Sequence, residues 1–81
     1  MARSAGVPVA VQDGLRMYVE HRIEPGGFLV AVLENNLKEA FGRADDTNAA
    51  AMEAIVAHVY NFIPSASWGS PAKVSAWLAG E

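Results

Sequence analysis

Residues 28–41 read FLVAVLENNLKEAF. At about 100° per residue, Leu29, Leu33, Leu37 and Ala40 fall on one side of a helix, with Phe41 beside them. The stretch therefore predicts one helix from about Phe28 to about Phe41, and with it a helical chain. Two amides interrupt the pattern. Asn36 falls inside the apolar arc, two turns after Leu29, and Asn35 lies on a flank with Phe28 and Glu39. A buried amide without partners costs ~1–3 kcal/mol. Asn36 is thus expected to act as a polar lock in the core, bonded across to Asn48 or to backbone near the start of the next helix. For Asn35 two readings stay open: an exposed flank, or contact with a ligand or partner.

Outward from this stretch, helical signals recur. Upstream, Glu24-Pro25-Gly26-Gly27 is a break, because proline disfavours a helical conformation at the residue before it. A first helix is expected from about Pro8 to about Ile23, with Val11, Leu15, Tyr18 and Val19 as its apolar stripe and Gly14 marking a close helix approach. Downstream, Gly42 is the expected helix end. A third helix begins in ADDTN, where Asp45 or Asp46 can cap free N–H groups. Met52, Ile55, Val56, Val59 and Ile63 form its stripe, and Pro64 limits its extension. Ser70-Pro71 reads as an N-cap followed by a first-turn proline, and Val74, Trp77 and Leu78 give a short fourth helix its apolar face. The expected fold is all-α, a compact bundle of three main helices plus a short C-terminal helix. It occupies 8–81 behind a loose tail at 1–7. Short connections make consecutive helices near-antiparallel neighbours.

Composition narrows the function classes. A chain of 81 residues is one small domain with a thin stability margin. With no cysteine there is no disulfide, thiolate metal site or cysteine nucleophile. The hydrophobic fraction of 52% fits packed Ala-rich helices or association into an oligomer. Six basic residues against nine acidic ones disfavour binding to double-stranded DNA, which needs a cationic patch. No apolar run approaches the ~20 residues of a membrane span. The N-terminus is a poor signal peptide, so cytoplasmic residence is expected.

Catalytic signatures are weak. His21 and His58 form no HxxxH or HExxH pair, and no serine sits in a GxSxG elbow. Adjacent Asp45 and Asp46 read as capping acids rather than as an acid/base pair. PGGF opens a helix and offers free N–H groups to an anion. It follows a helix rather than a strand and lacks the P-loop lysine, so it is neither a P-loop nor a Rossmann turn. Trp68 is either a lid folded on the core or a stacking surface. Tyr60 reads as core edge, and Arg43 as a helix-end cation able to meet an anionic ligand.

Three motifs in order, PGGFLVAVLENNL, GRADDTN and YNFIPSASWGSP, resemble a widespread group of small phage and prophage proteins. That group carries PPG(G/S)FLxAVLxNDL, then RADxxN, then WGSP. The likeness covers about residues 14 to 78. It departs at Glu24, where the group has proline, and at Asn36, where it has aspartate. An aspartate with a catalytic role would lose it at Asn36, whereas a binding role survives the swap. The resemblance implies an accessory protein that acts on host processes, including immunity.

The resulting expectation is a non-enzymatic binding protein, cofactor-free and oligomeric. Its most concrete form is a host-defence antagonist that sequesters a small nucleotide signal. Gly26, Gly27, Phe28, Asn35, Asn36, Arg43, Asp45, Asn48 and Trp68 would supply phosphate, base-edge and stacking contacts. The alternative is a protein–protein module that inhibits or recruits a host protein through an apolar helix face. A small enzyme or a helix-turn-helix regulator is a third, less supported option.

Overall fold

A computed structural model describes residues 6–80, and every regular element among them is helical. The order is α1 (Val9–His21), α2 (Gly27–Leu33), α3 (Leu37–Arg43), α4 (Asp46–Ala50), α5 (Met52–Phe62) and α6 (Pro71–Leu78). A 3-10 turn at Ser65–Ser67 precedes α6. The chain is all-α, as the periodicity predicts. The element count differs from the expected four because two of those helices are divided.

The break between α2 and α3 corrects the reading of residues 28–41. Asn35 takes the left-handed conformation, with φ 64°. Its N–H donates to the Val32 carbonyl at 3.1 Å, and the Asn36 N–H donates to Ala31 at 2.9 Å. This pattern is a Schellman motif, which satisfies two carbonyls that a helix end leaves open. Asparagine is one of the few residues with a side chain that visits this region readily. Asn36 then caps α3, its Oδ1 accepting the Glu39 N–H at 3.3 Å. It is exposed and bonds to no other helix, so the buried-lock reading fails. Local capping, which a wheel ignores, has won over helix continuation. The second division is slighter. Asp45 caps α4 by accepting the Asn48 N–H at 2.7 Å, as ADDTN predicts, and Ala51 alone separates α4 from α5.

Other boundaries follow local chemistry. Pro8 precedes α1 rather than opening it. Gly42 lies inside α3, which runs on to Arg43. Ser70 caps α6 by accepting the Lys73 N–H at 3.2 Å, with Pro71 in the first turn.

Val11, Leu15 and Tyr18 of α1, Leu29 and Leu33 of α2, Ile55 and Val59 of α5 and Val74 of α6 make one core. Val7 belongs to it, although the sequence placed it in a tail; residues 1–5 of that tail lie outside the described residues. Gly14 faces α2 as expected: a Cβ there would come within 3.0 Å of Leu29 Cδ1. A smaller cluster of Ala31, Ala40 and Met52 joins α2, α3 and α5.

The C-terminal ends of α1 and α6 clasp each other. Trp77 Nε1 donates to the Tyr18 carbonyl at 2.9 Å, while Arg22 Nη1 donates to the Trp77 carbonyl at 2.7 Å. The Arg22 guanidinium lies 3.7 Å from the centre of the Trp77 ring, a cation–π contact. These bonds hold Arg22 in a left-handed conformation, φ 56°, that arginine seldom adopts. The fully buried Tyr18 hydroxyl donates to the carbonyl of equally buried Ser67 at 2.7 Å, tying α1 to the 3-10 turn.

Burial lifts the Tyr18 hydroxyl above its ordinary pKa of 10.0; Arg22 opposes the lift and Glu34 adds to it. The folded-state value is the higher one. The stabilisation is therefore complete below the unfolded value and is lost as pH rises through the raised value. Tyr18→Phe should lower stability at neutral pH by about 1–2 kcal/mol, because the Ser67 carbonyl loses its buried donor. It should also flatten the loss of stability on the alkaline side. Urea titrations of both proteins from neutral to alkaline pH check both outcomes.

Candidate functional site

The corner at Asn35 and Asn36 turns α3 so that Leu37 and Phe41, one helical turn apart, face outward, 55% and 50% exposed. On the neighbouring α5, Met52, Ile55 and Val59 point to the core. Val56 and Tyr60 occupy one flank and are 42% and 73% exposed. Leu37, Val56 and Tyr60 meet around a small notch of about 80 Å³, lined also by Val32, Val59, Asn35, Asn36 and Trp68. The face is thus an apolar ridge with two amides at its edge.

Trp68 forms one wall of the notch. It is half-buried, with its Nε1 donating to the Ile63 carbonyl at 3.0 Å and its ring 6.0 Å from that of Tyr60. The following Gly69 has φ 120°, a value suited to glycine, and its N–H donates to the Leu33 carbonyl at 2.7 Å. The WGS loop is therefore bonded to the end of α2, beside the corner. Trp68 is a lid on the core and at the same time a support for the outward Tyr60. Tyr60 itself, expected at the core edge, is largely in water.

The nine residues expected to bind a ligand do not converge. Asn35, Asn36 and Trp68 share the notch. Gly26, Gly27, Phe28, Asp45 and Asn48 line a separate open cleft of about 440 Å³ against α1. None of that cleft's lining residues is a lysine or arginine, and the Asp45 carboxylate already caps α4. Arg43 lies in a third place. Its Nε donates to Glu39, and its guanidinium packs so closely on Gly27 that a Cβ there would come within 2.9 Å of Nη1. Glu24 and Glu34 line the same hollow. An incoming phosphate would meet carboxylates there and a cation already paired.

Among the described residues no cluster of histidines and carboxylates has the grouping of a metal site, and no helix is long and apolar enough to cross a membrane. His58 is half-buried, 5.2 Å from the Phe62 ring, rather than exposed. No protein-family description, curated protein or solved structure matches the chain.

Periodicity predicts Leu37 and Val56 inward and Phe41 beside the apolar arc. The signal that relocates Leu37 and Phe41 is Asn36 followed by Glu39 three residues later, the spacing of a helix start rather than a helix middle. Substitutions at the corner separate the two amides. Asn35→Gly should leave stability within a few tenths of a kcal/mol, whereas Asn35→Val should cost about 1–2 kcal/mol by forcing a β-branched residue into the left-handed region. Asn36→Ala should cost ~1 kcal/mol as a lost cap, and Asn36→Asp should retain it. Thermal melts followed by circular dichroism read all four.

Proposed function

We propose that this chain is a small phage-type accessory protein that acts by binding another polypeptide rather than by catalysis. The observation that carries this reading is the ridge of exposed Leu37, Val56 and Tyr60 around the notch, with exposed Phe41 one helical turn beyond Leu37 on α3. Contiguous apolar faces of this kind mark protein contacts more often than they occur by default. The notch beside the ridge suits a single inserted side chain, since ligand pockets for small molecules run to ~300–1,000 Å³. A role in the host cytoplasm, directed at host defence, is part of this proposal and rests on the resemblance to phage proteins.

Sequestration of a small nucleotide signal is the weaker reading. Its support is the open cleft that gathers Gly26, Gly27, Phe28, Asp45 and Asn48. Its difficulty is charge, because phosphate recognition needs a donor set with a free cation. Titration calorimetry with a panel of cyclic and ADP-ribose-type nucleotides should give no heat beyond dilution. Heat from any of them would restore this reading.

The main proposal is checked by a photo-reactive phenylalanine derivative placed at Tyr60, with the same group at Glu20 on α1 as control. Irradiation in cells expressing the protein should give a covalent adduct with a polypeptide from position 60 and none from position 20. Absence of any adduct from position 60 would remove the ridge as a binding face.

A further inference from the structure

We infer that the occupant of this ridge is a second copy of the chain, packed about a two-fold axis that passes beside Val56 and Ala57. The inference rests on the reading of the ridge as a protein-binding face and adds the identity of the partner. It comes from how charge is distributed along the face.

At about 100° per residue, Glu53, Val56 and Tyr60 share one flank of α5, away from the buried Met52, Ile55 and Val59. From Glu53 to Tyr60 that flank rises about 10 Å. Leu37 sits at the Tyr60 end, because the two residues line the same notch. Lys38, the next residue of α3, is exposed, and at about 100° per residue it falls beside Phe41 and away from the buried Ala40. The ridge therefore carries a cation toward one end and a carboxylate toward the other. Both side chains are exposed, and neither takes part in an ion pair among the described residues. The other charges of α3, Glu39 and Arg43, project to the opposite side and pair with each other.

A two-fold axis exchanges the ends of a ridge. In an isologous contact, whatever faces residue j from residue i also faces i from j. Rotation about the middle of α5 lays the partner's Glu53 against Lys38 and Tyr60, and does the same in reverse, so the ion pair forms twice. Val56 meets the partner's Ala57, whose small side chain lets the helices approach. A foreign partner would need its own matching pair of charges at this spacing, whereas a second copy supplies them by symmetry. The area agrees. The exposed parts of the four ridge residues amount to roughly 400 Å², most of it apolar. With Ala57 and the flanking charges this approaches the ~800 Å² per partner of a stable interface.

The test uses the purified chain and sedimentation equilibrium. The wild type should sediment at twice 8.6 kDa at micromolar concentration. Lys38→Glu and Glu53→Lys should each weaken the dimer about tenfold, because each places like charges together twice. An equimolar mixture of these two variants should recover the dimer, since the two acids of one then face the two lysines of the other. Circular dichroism verifies that each variant is folded. Tyr60→Glu should leave a folded monomer.

A wild type that stays at 8.6 kDa overturns the inference, as does a dimer indifferent to all three substitutions. A mixture that associates no better than either variant alone overturns it too. A monomeric wild type that still cross-links to another protein from position 60 would end the two-fold dimer and leave the protein-binding reading standing. A monomer with no adduct would end both.

Discussion

The left-handed turn at Asn35 is the constraint on which the exposed half of this molecule depends. Had Asn35 kept helical dihedrals, residues 28–41 would form one rod with Leu37 over the core and Phe41 at its edge. Instead the Asn35 and Asn36 N–H groups close the end of α2, and the Asn36 side chain opens α3. Two adjacent amides thus terminate one helix and start the next without an intervening loop. The cost of positive φ at Asn35 is small beside the bonds gained, since asparagine tolerates that region and the helix end needs donors for its carbonyls. The consequence is that Ala40, and not Leu37, becomes the buried contact of α3, and it meets Ala31 and Met52. Alanine at two of these three positions lets α3 lie close against α2 and α5, and the larger side chains of α3 are left on the outside.

The clasp of α1 on α6 joins parts of the chain that are far apart in sequence. Tyr18, Trp77 and Arg22 bond across 49 to 59 residues of sequence and close the chain's first long helix onto its last. Each of these bonds uses a carbonyl at or near a helix end or turn; those of Tyr18 and Trp77 also accept a backbone N–H, from Arg22 and Gly80, and so take a second donor. No buried side-chain nitrogen or oxygen among the described residues is left without a partner. Polar satisfaction of this kind, together with the core of α1, α2, α5 and α6, fixes one side of a body whose Cα atoms span only 17 Å in their thinnest direction. So thin a body offers few positions that are covered on every side. An 81-residue chain that is 52% hydrophobic cannot place all of its large side chains there. Of those without a place, Leu37, Phe41, Val56 and Tyr60 lie on α3 and α5, and Val9 and Ile23 lie at or just past the ends of α1.

The parts of the fold that were legible in the sequence are those decided locally. Asp45, Ser70 and Pro71 announce their helix starts through residue type and spacing alone, and the stripe of α5 is visible because three of its members do face the core. The Asn35–Asn36 corner was legible in principle, as a cap followed by Glu39. It was outweighed by an apolar period that happens to run through it in phase. Val56 and Tyr60 show the limit of the wheel: it orders residues around an axis and does not say how wide an arc the neighbouring helices cover. The Arg22–Trp77 contact was not legible, because it is a meeting of two helix ends 55 residues apart. The candidate ligand set failed to converge for a related reason. Gly26, Arg43 and Trp68 belong to separate motifs, and proximity in sequence of polar and glycine-rich segments carries no information about which side of a small bundle each one reaches.

Charge is what separates the two proposed kinds of binding. The chain's excess of acid is not spread evenly: Glu24, Glu34 and Glu39 line one hollow with Arg43, and Asp45, at the start of α4, shares a cleft with the glycines that open α2. The cleft at the start of α2 is thus lined by one carboxylate, that of Asp45, and by no lysine or arginine. The α3–α5 face has the reverse character. Its centre is free of charge, and the charges at its ends are of opposite sign, so an approaching surface meets little desolvation penalty at the middle and a direction at the rim. Under the proposed reading, a surface organised in that way suits a polypeptide partner. The same corner that frustrates the simple helical reading of residues 28–41 is what creates it.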